Sequence, residues 1–196
     1  YVDPAFANNI ILTQTERLHL RVSDGTLLLG EGVRVSGGRL DLTGEGARSA
    51  ITVSAGDVGT VTVGSGDGGS HSLVLRGGGV ERVLLTDGGK AASLSLTIEG
   101  GSVGSITAAA NCASDSLSLS LRGGSVVGVS LGAQSAEVVL DLGAAAVGSV
   151  TVAEKLARGT LLTEEGANQT LVDALRAKFA ASATSNVIYL ADGGSG

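Results

Sequence analysis

A six-residue apolar pattern returns every 21 to 23 residues along most of this chain. It reads Val58-Gly-Thr-Val61-Thr-Val63, Val80-Glu-Arg-Val83-Leu-Leu85, Val103-Gly-Ser-Ile106-Thr-Ala108, Val126-Val-Gly-Val129-Ser-Leu131 and Val147-Gly-Ser-Val150-Thr-Val152. The intervals are 22, 23, 23 and 21 residues. Upstream of each lies an alternating triplet: Ile51-Thr-Val53, Leu73-Val-Leu75, Leu96-Thr-Ile98, Leu119-Ser-Leu121 and Leu140-Asp-Leu142, always ending five residues before the six-residue pattern begins. The constant offset makes each repeat one structural unit, and a period in the twenties is the signature of a solenoid.

Alternation at period two, as in Leu117-Ser-Leu119-Ser-Leu121, is that of a strand with one buried face. The joints that follow, Arg76-Gly-Gly-Gly79 and Arg122-Gly-Gly-Ser125, supply residues that accept the positive φ of a tight corner. Six inward positions per coil give 30 sites over five coils, and 28 carry Val, Leu, Ile or Ala, the exceptions being Ser49 and His71. A strand pair this short cannot bury its own inner face, so stacking creates the core. With no Trp, no Met, two Phe and two Tyr, that core is aliphatic. Leu18-His-Leu20 and Leu40-Asp-Leu42 extend the stack toward the N-terminus at steps of 22 and 21 from Val61-Thr-Val63. The predicted fold is therefore all-β, a parallel β-helix or solenoid of roughly seven coils about 22 residues long, on the order of 30 Å from end to end.

Residues 18–162 form the predicted solenoid, between an N-terminal cap over 1–17 and a C-terminal cap over 163–192. In the latter, Asn168 N-caps a helix running to about Ala183, with Leu171, Val172, Leu175 and Phe179 on one face and Asp173, Arg176 and Lys178 toward solvent. Asn186-Val-Ile-Tyr-Leu190 follows as a last strand, and 193–196 as a flexible tail. The start at Tyr1, without initiator Met or signal peptide, fits a mature product or an excised fragment.

Over residues 18–162 the chain resembles right-handed parallel β-helix proteins in coil length, glycine corners and aliphatic filling. It is similar to bactofilins in size and core, but their coils are shorter and their ends lack a helix. A leucine-rich repeat is the competing reading, because Val103-x-x-Ile106-x-Ala108-x-x-Asn111 fits its strand-and-asparagine pattern. The other coils carry Gly66, Gly88, Gln134 and Lys155 in place of Asn111, and their other half alternates like a strand.

The net charge of −6, scattered Arg and Lys and the lack of aromatic platforms argue against nucleic-acid binding. No apolar run approaches the ~20 residues of a membrane helix, so membrane insertion is not expected. Cys112 cannot form an internal disulfide and lacks a basic neighbour in sequence. His19 and His71 have no ligand-spaced partner, and neither a metal nor a cofactor is implied. His71 stands out by sharing an inward row with Leu94, Leu117 and Val138. Gly64-Ser-Gly66-Asp67-Gly-Gly69 occurs once and reads as a turn, since calcium-binding glycine–aspartate repeats need successive coils. Arg76, Glu99 and Arg122 form a surface ion ladder, and Asn168-Gln-Thr170 meets the minimal N-glycosylation pattern.

No catalytic residue is identified. These observations point to a non-enzymatic structural or interaction domain, a rigid scaffold segment such as an adhesin stalk at the cell surface or outside the cell. It would engage a macromolecular partner or its own copies. Two alternatives stand beside it. A polysaccharide-active or glycan-binding β-helix follows only from fold analogy. Ice binding is prompted by the exposed row Thr62, Leu84, Thr107, Ser130 and Thr151, whose hydroxyls Thr62, Thr107, Ser130 and Thr151 are a candidate binding row broken at Leu84, beside a row Thr60, Arg82, Ser105, Gly128 and Ser149 that carries a bulky charge.

Overall fold

The computed structural model describes residues 19–22, 25–29, 34–43, 48–65, 68–86, 89–154, 156, 158–164, 166–180 and 186–189, with side chains mainly from 48 to 179. In chain order the strands are β1 (His19–Val22), β2 (Gly25–Leu29), β3 (Arg34–Thr43), β4 (Arg48–Val53), β5 (Asp57–Ser65), β6 (Ser70–Leu75), β7 (Gly79–Leu85) and β8 (Ala91–Ile98). They continue as β9 (Ser102–Ala108), β10 (Ala113–Leu121), β11 (Ser125–Leu131), β12 (Glu137–Leu142), β13 (Ala146–Val152) and β14 (Arg158–Thr163). Helix α1 (Gln169–Ala180) and β15 (Asn186–Tyr189) close the described chain.

Odd-numbered strands β1 to β13 stack in order as a 7-stranded first sheet, and the even-numbered strands with β15 beyond β14 form an 8-stranded second sheet. Every pairing is parallel and joins a strand to its counterpart one coil away, which makes the chain a parallel β-solenoid. The repeat offsets are the register itself: Val58 pairs with Val80, Val80 with Val103, Val103 with Val126 and Val126 with Val147. The triplets do the same, from Ile51 to Leu73, Leu96, Leu119 and Leu140.

One register differs from expectation. Leu40 pairs with Val61 as predicted, but Leu20 pairs with Leu40 and not with Leu42. A slip of two residues keeps each side chain on its face, so apolar alternation cannot distinguish the two registers. Between Val35 and Arg39, β3 also bulges against β5, absorbing the extra residues that blur the repeat there.

Inside, each described inward side chain from Ile51 to Val152 is buried, save Val147 and Val150, which are half-buried on β13, the last strand of the first sheet. The corners explain the glycines. Gly78, Gly101 and Gly124 stack at φ of 74°, 80° and 71°. Across them Ser102 N–H donates to Gly78 O and Ser125 N–H to Gly101 O, both at 2.9 Å, continuing the parallel ladder around the bend. A Cβ on Gly101 would lie 2.5 Å from Gly78 O. Only glycine fits both demands.

At the C-terminal end Asn168 caps α1: its Oδ1 accepts Leu171 N–H at 3.2 Å. Val172, Leu175 and Phe179 are buried against the last coil, Leu171 is partly buried, Asp173 and Arg176 are exposed and Lys178 is intermediate. Helix α1 is described to Ala180, and β15 pairs with β14 in place of a further coil. Expectations for 1–17, 193–196, Ala183 and Leu190 fall outside the described residues.

Candidate functional surface

The predicted hydroxyl row is in register on the first sheet, from Thr62 through Leu84, Thr107 and Ser130 to Thr151. Thr107, Ser130 and Thr151 are exposed. Thr62 is not: its exposure is 0%, and its hydroxyl has no hydrogen-bond partner among the described residues. Alternation decides which face a side chain occupies, not what lies over that face. With Thr62 buried and Leu84 interrupting, the exposed hydroxyl row shortens to three consecutive coils.

The second sheet carries a larger array that its sequence periodicity also encodes. Outward positions on β6, β8 and β10 bring Ser70, Ser93 and Ser116 into one row and Ser72, Ser95 and Ser118 into the next. A third row runs Val74, Thr97, Ser120. Rows lie about two residues apart along the strand, near 6.7 Å, and strands about 4.8 Å apart. Ser116 Oγ donates to Ser93 Oγ at 3.1 Å, so neighbouring hydroxyls link across coils. Arg48, Ala50 and the six serines of the first two rows, with His71 and Leu94 between them in sequence, line a shallow groove of about 430 Å³.

Charged residues frame this array. Arg48 on β4 stands beside Ser70, and Glu137 on β12 beside Ser116. In the third row Asp141 is nearly covered: Ser120 Oγ donates to its Oδ2 at 2.9 Å and Arg122 Nε at 3.0 Å. The expected ion ladder is thus split. Arg76 Nε meets Glu99 Oε2 at 3.0 Å between two exposed side chains, a pair of little energetic weight, while Arg122 turns to Asp141.

His71 sits between Ser70 and Ser72 in sequence, but alternation sends its side chain through the sheet, where it is 3% exposed. Burial lowers its pKa from 6.5, opposed by a hydrogen bond with the Gly68 backbone. The ring is thus on the wrong side of β6 to serve the serine hydroxyls as a base. Cys112 is also sealed. Its Sγ donates to Gln134 Oε1 at 3.5 Å, its N–H donates to the same oxygen at 3.1 Å, and burial pushes the thiol up to about 11. Gln134, absent from any sequence-based reading as a functional group, is the centre of this clamp, its Nε2 donating to Ala109 O at 2.6 Å and Gly132 O at 3.1 Å. Nearby Asn111 adopts φ 50°, and its Oδ1 accepts Ser135 N–H at 2.9 Å.

His19 falls among residues whose side chains lie outside the description, as do Gly66 and Asp67 of the glycine-rich turn. Among the described residues no group of three or more His, Cys, Asp or Glu could hold a metal ion, and no helix is long and apolar enough to cross a membrane. Asn168, of the glycosylation triplet, is exposed and engaged as the helix cap. No protein family, no curated protein and no solved structure matches this chain.

Proposed function

We propose that the chain is a non-enzymatic scaffold segment, presenting flat strand faces to a macromolecular partner, as part of a surface-exposed or extracellular assembly. The observation that carries this reading is the division of labour between the faces of each strand. Inward positions are filled almost entirely by aliphatic side chains, and outward positions of β6, β8 and β10 form a hydroxyl lattice on strands that run in continuous register from Ser116 onward. Hydroxyls that both donate and accept suit an extended polar partner, and the shallow groove is shaped for contact along a surface. Among the described residues two groups have shifted pKa values, and neither side chain is exposed: burial lowers the basicity of His71 and raises the pKa of Cys112. Among the described residues, no group on the hydroxyl face is placed to activate a nucleophile.

The test is a turnover screen of the folded protein against acidic and neutral polysaccharides. The expected result is no turnover above a heat-denatured control. Turnover that disappears in His71→Ala, with the fold intact by circular dichroism, would overturn the scaffold reading in favour of a polysaccharide-active enzyme.

A further inference from the structure

We propose that the second sheet pairs face to face with the same sheet of a second copy, about a two-fold axis running along β8. This rests on the scaffold reading and names its partner. Five strands, β4, β6, β8, β10 and β12, carry three outward rows each, and β8 is their midpoint. The first row reads Arg48, Ser70, Ser93, Ser116, Glu137. Opposite charges stand at its two ends, each two strands from the centre. An isologous interface requires that residue i meet residue j and j meet i. A two-fold axis along β8 reverses strand order and keeps the rows, so it places Arg48 of each copy against Glu137 of the other. Ser70 then faces Ser116, and Ser93 faces itself.

The second row obeys the same symmetry without charges. Ala50 meets Val139, Ser72 meets Ser118, and Ser95 meets Ser95. Small apolar groups meet at the ends and hydroxyls in the middle, where each can donate to and accept from its counterpart. In the third row Thr52 meets Asp141 and Thr97 meets itself. A copy turned instead about an axis across the strands would keep strand order and reverse the rows, setting Glu137 against Asp141 and leaving Arg48 opposite Thr52, which like-charge repulsion disfavours.

Both end charges are available. Arg48 and Glu137 are exposed, and among the described residues neither has an ion-pair partner. Arg158, beside Glu137 in register, gives its Nη2 to Ser135 O at 3.3 Å. The face measures about 24 Å by 20 Å, on the order of 500 Å² per copy, at the lower edge of what specific complexes bury. The dimer is accordingly weak and reversible, with Kd of about 10⁻⁵ to 10⁻⁴ M, and salt-sensitive through its two symmetric ion pairs.

Sedimentation velocity on the full chain at ~50 mM salt, up to about 1 mM protein, tests it. Wild type is expected to dimerise. Arg48→Glu and Glu137→Arg each turn two attractions into two repulsions, and each should raise Kd at least about ten-fold. The double reversal, Arg48→Glu with Glu137→Arg, should restore Kd to within about three-fold of wild type. Ser95→Cys, on the axis, should form an intermolecular disulfide under mild oxidation faster than Ser118→Cys, which faces Ser72 across the interface; native Cys112 is buried and does not compete. A monomer throughout, a dimer indifferent to either single reversal, a double reversal no tighter than the singles, or equal cross-linking at both cysteines would each overturn the pairing. A monomer leaves the scaffold reading standing, since that falls only on measured turnover.

Discussion

Replacing Gly101 by Ala tests the two demands that the stacked corner makes, because Gly166 and Gly100 each pose one of them alone. At Gly101 the backbone has φ 80°, and an added Cβ would meet Gly78 O at 2.5 Å and Gly77 C at 2.8 Å. Gly166 has φ 92° with nothing within 4 Å of a built Cβ. Gly100 lacks the positive φ, yet its Cβ would lie 2.5 Å from Arg76 O. A left-handed conformation costs a non-glycine residue about 1–2 kcal/mol, partly offset by the lost freedom of the unfolded chain, so Gly166→Ala should destabilise by about 1 kcal/mol or less. The clash at Gly100 must move backbone rather than a flexible side chain, an overpacking cost of about 1–3 kcal/mol. Gly101→Ala incurs both, and shifting that corner also loosens the ladder bonds Ser102 N–H to Gly78 O and Ser125 N–H to Gly101 O. The expected loss is about 3–5 kcal/mol. Asparagine sharpens the test, since it tolerates the left-handed region but keeps its Cβ. Gly166→Asn should be near wild type, while Gly101→Asn should be as damaging as Gly101→Ala. The assay is urea denaturation followed by circular dichroism. The last corner, Gly143-Ala-Ala-Ala146, turns without a positive φ at Ala145 and still gives Ala146 N–H to Gly124 O at 2.9 Å. If Gly101→Ala costs no more than Gly166→Ala, an internal corner can relax in the same way and the stacked-glycine reasoning fails.

Two further outcomes concern buried polar groups. Since burial holds the His71 pKa below 6.5, the unfolded chain binds more protons just below that pH, so stability present above pH 6.5 should fall as pH drops toward the folded pKa; His71→Leu, matching Leu94, should flatten that acid limb of a Tm-against-pH curve, and an unchanged limb would show the cause lies elsewhere. Gln134→Leu strands Cys112 N–H and Ala109 O, so a loss of about 2–4 kcal/mol is expected with faster labelling of Cys112 by a thiol reagent, and labelling as slow as wild type would refute the clamp.

The inner half of this structure was legible because one periodicity controls it twice. Period two assigned Leu117, Leu119 and Leu121 to the core, and the coil period assigned their partners one turn away. Those signals lapse wherever they are degenerate. Leu20 could pair with Leu40 or Leu42 at the same facing, and alternation alone does not decide between them. Thr62 had the right parity and the wrong exposure, since what covers a face is a tertiary matter. The serine lattice was readable in principle: Ser70, Ser93 and Ser116 share the offsets of 23 and 23 that align Leu73, Leu96 and Leu119. Serine between apolar positions is also what any solvent-facing strand carries, so the hydroxyl spacing stands out only once the strands are in register. Gln134 gave no signal at all, as its role depends on a loop geometry that brings Ala109, Cys112 and Gly132 around one amide.

The topology of the C-terminal end also bears on how copies can meet. After β14 the chain forms α1 where the first sheet would take its next strand, and only then adds β15 to the second sheet. The second sheet therefore extends one strand beyond the first, and α1 packs against β13, β14 and β15. A following copy enters with β1 in the first sheet and β2 in the second, at one level of the stack. Its β1 would have to lie on β13 in the place α1 occupies, while β2 would meet a level already filled by β15. Among the described strands, end-to-end stacking is thus out of step by one strand at this end. On the flank, the second sheet combines, among the described residues, a continuous hydroxyl array with opposite charges equidistant from β8, and the two-fold pairing proposed above is of a kind that stops at two copies.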